Sequence, residues 1–302
     1  MGQPLEFVKL SGSGNDFICM DNRDGRLDPL LADGPRIEHF ARTLCRRGLG
    51  IGADGLLLAC TSSGRSDADL DARFLEADGS EAELCGNGTA CFTSWVLREG
   101  WFQHEEIAIH TPAGIVYGKN SDGQYVRVCI PLPRDMQRDI DVEIAGQRWS
   151  CDFVVTGVPH VTVYVPDLKN FDVAHWGPAF RHHERFAPRG VNANFVQVLA
   201  PGRIAVRTYE FGVEGETLSC GTGSASAAIL TALRYHWPSQ YTTGAQPVMV
   251  QAASGDVLRV YFTAQADGQV SDLCLDTVVR LAFHGTVHGD LEKMAMEVVS
   301  EQ

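Results

Sequence analysis

The chain opens on alternating polar and apolar positions, "LEFVKL", and breaks at "SGSGND", the pattern of a strand running into a glycine-rich turn. A helical period follows in "PRIEHFARTLCRRG", with Pro35 near its start and Gly48 as its stop. Short apolar runs then read as strands: "GLLLAC", "ARFLEA", "EIAIHT", "GIVYGK" and "YVRVCI". From "QRWSCDFVVTGVPHVTVYV" onward the same order recurs, with strands, a helix over about Val173 to Arg185, and then "VNANFVQVL" and "RIAVRTYE". This is a weak internal duplication, with its seam between Asn120 and Asp141.

Each half carries the same unit, "ELCGNGTACF" around Cys85 and "LSCGTGSASA" around Cys220, and each unit leads into a helical pattern. In "GNGTACFTSWVLREG" the residues Cys91, Trp95 and Val96 line one face before Gly100 ends the helix. In "GTGSASAAILTALRYH" the wealth of Ala and Ser suits a helix packed closely on several sides. Both are expected to be central helices wrapped by a sheet. A thiol just ahead of such a helix lies in the positive field of its N-terminus, which favours thiolate. The flanking glycines let the backbone approach a ligand and turn N–H groups toward an anion. Two such seats hold one carboxylate and set a thiol on either side of the neighbouring carbon. One sulfur then removes a proton as thiolate while the other returns one to the opposite face. The helix N-termini stabilise the carbanion's charge, so this chemistry calls for no metal and no electron-sink cofactor.

Bulk properties narrow the partners. The 302 residues carry a formal charge of −13, with acidic residues spread along the chain, which excludes sequence-independent nucleic-acid binding and reading of anionic membranes. No basic segment followed by an apolar stretch opens the chain, and no apolar run is long enough to span a bilayer. A soluble, cytoplasmic protein is expected, with small molecules or protein as partners and a homodimer among the options. Nine cysteines, none in a C-x-x-C pair, suggest neither a disulfide framework nor a zinc ribbon and fit a reducing compartment. Gly50–Gly55, "GIGADG", satisfies the dinucleotide fingerprint but follows a helical rather than a strand pattern, so its confirming context is missing. His182 and His183 lack further ligands at metal spacing, and no G-x-S-x-G elbow is present.

At "KLSGSGNDF", "RRGLGIGADG", "ADGSEAELCGNG", "GVPH", "VNANFVQV" and "YEFGVEGETLSCGTGSA" the chain resembles the diaminopimelate epimerase family, cofactor-independent two-cysteine enzymes, over about residues 5 to 285. The resemblance implies an α/β (α+β) fold of two pseudo-symmetric domains, each a curled, mostly antiparallel sheet around one central helix, with the active site in the cleft. The domains would comprise residues 1–120 with about 280–302, and about 121–279. By position Cys85 and Cys220 match the catalytic pair, and Gly86, Asn87, Gly221 and Thr222 match donors to the reacting carboxylate. Asn15, Asn192, Glu210 and the segment around His160 match substrate-cleft positions, although two thiols leave His160 no acid or base role.

Three departures bear on the substrate. Glu76 stands where the family has Asn, Val158 where it has the Asn of G-N-P-H, and Phe211 where it has the Arg of E-R-G. In the family those side chains grip the far carboxylate of diaminopimelate, a task that suits a guanidinium and that an apolar ring cannot perform. A glutamate there adds like-charge repulsion. The expected function is therefore racemisation of a free amino acid with a neutral or basic side chain, of the histidine, lysine or arginine class; the alternative is diaminopimelate epimerisation. Isomerases resembling the phenazine-biosynthesis enzyme or proline racemase are weaker rivals because their motifs differ. A binding protein would need neither thiol.

Overall fold

The computed structural model describes residues 4–62, 64–265 and 268–288. Two compact units emerge: one runs to Val126 and takes up the chain again at Val279, the other is Arg127–Val278. Residues 289–302, given to the first domain by the sequence, lie outside the described residues.

The first unit contains β1 (Leu5–Gly12), β2 (Asn15–Asn22), a one-turn α1 (Asp28–Leu31), α2 (Gly34–Cys45), β3 (Gly55–Thr61), β4 (Leu70–Glu76), α3 (Gly86–Arg98), β5 (Glu106–Thr111), β6 (Gly114–Asn120) and the start of β7 (Tyr125–Cys129). Its pairings run β1–β2 antiparallel, β2–β3 parallel, β3–β4 antiparallel, β4–β5 parallel and β5–β6 antiparallel. The second unit contains β8 (Arg134–Ile144), β9 (Gln147–Thr156), β10 (Val158–Tyr164), α4 (Val173–Arg181), β11 (Asn192–Ala200), β12 (Arg203–Glu210), a short β13 (Gly215–Thr217), α5 (Gly221–Arg234), β14 (Val248–Gln251), β15 (Val257–Ala264) and most of β16 (Val270–Val287). Here β9–β10, β10–β11, β11–β12, β12–β14 and β14–β15 repeat that alternation of antiparallel and parallel pairs. In each unit a main crossover helix, α2 or α4, follows the second strand of this series, and a cysteine-headed helix follows the fourth. The duplication faint in sequence is explicit in topology.

Each cysteine-headed helix is the centre of its unit. Every residue of α3 from Gly86 to Val96 is buried, as is every residue of α5 from Gly221 to Ala232. All-round burial removes the usual polar stripe, which explains the small residues. A Cβ on Gly118 of β6 would sit 2.1 Å from Thr93 Oγ1 of α3, so sheet and helix approach more closely than any side chain at 118 allows. The other crossover helices cover separate apolar clusters: α2 packs Ile37, Phe40 and Leu44 with Phe7, Ile18 and Leu56, and α4 packs Val173 and Phe180 with Val161, Phe195 and Tyr209. No helix among the described residues is long and apolar enough to cross a membrane.

Three details depart from the sequence reading. The helix expected to reach Arg185 stops at Arg181, and a separate 3-10 turn covers Glu184–Phe186. There the chain turns back, with Val191 N–H donating to the Arg181 carbonyl at 3.3 Å. Second, β8 carries no apolar run in its sequence because "RDMQRDIDVEI" is a mostly exposed edge strand, interrupted by two register shifts, and charge on an edge blunts pairing with other chains. Third, Cys129 and Cys274, 145 positions apart, form a disulfide, against the expectation of reduced thiols. Spacing reveals only local cysteine pairs, and this one joins β7 to β16.

Candidate active site

In the first unit Cys85 is the N-cap of α3, extended at φ −125°, ψ 113°, and its Sγ accepts the Gly88 N–H at 3.3 Å. A cysteine thus holds the position usually given to Ser, Thr, Asp or Asn. The first N–H groups of a helix, here those of Gly86 and Asn87, have no partner within the helix, so they and the aligned peptide dipoles favour an anion. Asn87 is buried and donates through Nδ2 to Asn15 Oδ1 at 2.7 Å; Asn15 in turn donates to Asp54 Oδ2 at 3.4 Å. Asn15, Cys85, Gly86 and Asn87 are thereby brought together from β2 and the start of α3.

The second unit repeats the cap. Cys220 precedes α5 at φ −119°, ψ 114°, and its Sγ accepts the Gly223 N–H at 3.3 Å. Thr222 Oγ1 lies 3.6 Å from that sulfur and 3.0 Å from His160 Nε2. Asn194 Nδ2 lies 3.3 Å from His160 Nδ1 and donates to the Val161 carbonyl, while Thr208 donates to Asn194 Oδ1 at 3.0 Å. Register explains the line: His160 pairs with Asn192 and Asn194 with Thr208, so these side chains, with that of Glu210, project from one face of the sheet. Asn194 and Thr208 were not singled out in the sequence, since their role depends on strand pairing.

His160 is wholly buried, and that burial lowers its pKa to about 3. The ring is neutral at physiological pH and meets Thr222, whose hydroxyl in turn lies beside the Cys220 sulfur. The unfolded chain protonates this histidine near pH 6.5 and the folded chain only near 3. Stability from this group is therefore full above about 6.5 and falls on acidification, by up to about 1.4 kcal/mol per pH unit. Denaturant unfolding from pH 7 to 5 should show a shallower loss in His160→Gln than in the native chain; equal slopes would refute the assignment.

Asn192 is buried, and its Oδ1 accepts the Phe211 N–H at 2.7 Å; Glu210 accepts from the Thr217 hydroxyl. Val158, the first residue of β10, is half-buried. Phe211 does not stand alone: the Arg181 guanidinium lies 4.2 Å from its ring centroid and that of Arg189 5.5 Å. The buried Arg181 also pairs with Glu214 at 3.1 Å, whereas Arg189 is exposed. These two arginines lie 30 and 22 positions upstream of Phe211 in the chain, outside the motif around Glu210.

Glu76 closes β4. Crowding by protein, then the charges of Asp78 and Asp54, pushes its carboxyl up to about 7. The side chain itself stands exposed at the strand end, and the raised pKa weakens the like-charge repulsion that the sequence leads one to expect there. Burial pushes the Cys45 and Cys151 thiols up to about 12 and raises Cys19 and Cys91 as well, so they remain protonated.

The sequence profile described as diaminopimelate epimerase matches residues 7–128 and 153–267. The chain belongs to the diaminopimelate epimerase family. It is 38% identical to the diaminopimelate epimerase of Aquifex aeolicus over 261 residues, 86% of this chain and 90% of that one. With the Chlorobaculum tepidum diaminopimelate epimerase it shares 34% over 290 residues, 92% of this chain and 99% of the relative. A probable proline racemase from Agrobacterium radiobacter superposes with a TM-score of 0.70 at 18% identity, covering 96% and 95% of the two chains. A PhzF-family protein from Bacillus anthracis gives 0.69 at 14%, covering 95% and 100%, and these two likenesses establish the fold. As a member of this family the chain is an isomerase, of the epimerase and racemase class.

Proposed function

We propose that this family member inverts the α-carbon of diaminopimelate by passing a proton between Cys85 and Cys220. The observation that carries the two-thiol reading is the recurrence of one cap geometry: an extended cysteine, a sulfur 3.3 Å from the N–H of the third helical residue, and a helix N-terminus beside it. The thiolate form of one cysteine takes the α-proton and becomes a thiol, leaving charge that the substrate carboxylate shares with the helix N–H groups. The other cysteine gives its proton to the opposite face and becomes the thiolate. Each turnover thus exchanges the roles of the two sulfurs, and exchange with water restores them.

Diaminopimelate is favoured by the relatives' activity and by the exposed guanidinium of Arg189, 5.5 Å from the Phe211 ring centroid, which suits a second carboxylate. A second reading, a racemase of histidine, lysine or arginine, draws on Glu76, Val158 and Phe211 standing where the family resemblance expects Asn, Asn and Arg. Proton NMR in heavy water, with L,L-diaminopimelate, L-histidine, L-lysine and L-arginine offered separately, decides between them. Loss of the α-proton signal with diaminopimelate alone is expected. Exchange confined to a monocarboxylate amino acid would overturn the substrate assignment and leave the chemistry intact.

A further inference from the structure

The glycine-rich loop Gly50–Gly55 has the letters of a phosphate cradle but not its donors. The N–H of Gly50 is given to the Arg46 carbonyl, those of Gly52 and Ala53 to Leu44 and Cys45, and that of Asp54 to Asp16. The first three close the C-terminal end of α2, so their donors are committed to protein. A Cβ on Gly50 would lie 2.2 Å from the Thr43 carbonyl oxygen, so the glycine serves close packing of loop on helix. What the loop presents is the Asp54 carboxylate. Its Oδ2 accepts the Asp16 N–H at 3.0 Å and Asn15 Nδ2 at 3.4 Å, and its Oδ1 accepts Arg47 Nη2 at 2.8 Å. Buried Lys9 braces the same corner through the Gly52 carbonyl and Asp16 Oδ2.

We propose that Asp54 is a positioning residue that fixes the sense of two side-chain amides in series, Asn15 and then Asn87, at the N-terminus of the helix headed by Cys85. The inference rests on the proposed role of that helix end as the seat of the reacting carboxylate. A carboxylate only accepts hydrogen bonds. It therefore turns the NH2 of Asn15 toward itself and the Asn15 oxygen toward Asn87. That oxygen in turn draws the NH2 of Asn87, at 2.7 Å. The second residue of the helix is so held in one amide orientation by an anion two bonds away in the network. An amide at 54 accepts or donates equally well, and both asparagines lose their fixed sense.

A double-mutant cycle tests this. Asp54→Asn is expected to lower kcat/KM about 100-fold, the order of effect that small misplacements at a reacting centre produce. In an Asn15→Ala background the same substitution is expected to change it less than about 2-fold, because the relay through the Asn15 amide is already gone. Equal effects in both backgrounds would mean a general structural role and would overturn the proposal, as would an unchanged kcat/KM. Hydrogen exchange of the Asn87 side-chain NH2, followed by nitrogen-15 NMR, needs no substrate and so separates this inference from the assignment of function. It should accelerate at least about 10-fold in Asp54→Asn, and unchanged protection would sink the relay even if the substrate reading stands. Should Asp54→Asn not fold, Asn15→Ala is read by the same exchange measurement: exchange of the Asn87 NH2 is expected to accelerate to a similar extent, and unchanged protection would overturn the relay.

Discussion

Cys85→Ser and Cys220→Ser are each expected to lower kcat by about 10²-fold to 10⁴-fold, the range for removal of a general acid or base, with little change in thermal unfolding. The separation follows from the cap. Each sulfur does two things, accepting the N–H of the third helical residue at 3.3 Å and exchanging a proton with substrate. A serine hydroxyl performs the first task at least as well, being a preferred N-cap. It cannot perform the second, because a hydroxyl ionises far less readily than a thiol even beside a helix N-terminus. Steady-state kinetics with calorimetry on both variants checks the pair of effects. Turnover within about 10-fold of the native enzyme in either variant would reduce that cysteine to a helix cap.

Gly223→Ala is expected to damage the enzyme more than its counterpart Gly88→Ala. A Cβ at 223 would fall 2.4 Å from Asn194 Oδ1 and 3.1 Å from both Cβ and Sγ of Cys220; at 88 the nearest atoms are Cys85 Cβ at 3.2 Å and Sγ at 3.4 Å. Asn194 is a short side chain held by Thr208, His160 and the Val161 carbonyl, so it yields only by breaking that line. Gly223→Ala should therefore cost about 1–3 kcal/mol of stability, as overpacking does, together with about 10²-fold in kcat as Cys220 shifts. In Gly88→Ala the better helix propensity of alanine, about 1 kcal/mol, offsets the milder crowding, and the loss is confined to kcat. Denaturant unfolding and kinetics on the two variants compare them directly, and equal stability losses would contradict the packing argument.

The parts legible in sequence are those set by neighbours in the chain. Cys-Gly-x-Gly before a run of small residues specifies a cap, a close approach and a buried helix within one turn, and both central helices follow from it. The strand-turn-strand opening is local in the same way. What was hidden depends on pairing across the sheet or between distant loops. Thr208, Asn194 and His160 form one line only because β10, β11 and β12 lie side by side in a particular register. Arg181 and Arg189 reach Phe211 only after the chain turns back at the end of α4. The Glu76 carboxyl is raised by the protein around it and by the charges of Asp78 and of Asp54, the latter 22 positions away in the chain but brought near through the β3–β4 pairing. The disulfide between Cys129 and Cys274 has the same origin.

The central claim is that two thiols, not one base, carry the proton. Its most direct test is the early time course of a reaction run in heavy water from one pure enantiomeric configuration, with product and remaining substrate separated and their deuterium content measured. Two thiols predict deuterium in nearly all of the first-formed product and almost none in the remaining substrate, because the incoming proton comes from a sulfur already equilibrated with solvent. Product that retains the substrate's own proton, or substrate that gains deuterium as fast as product forms, would show a single base serving both faces and would contradict the account.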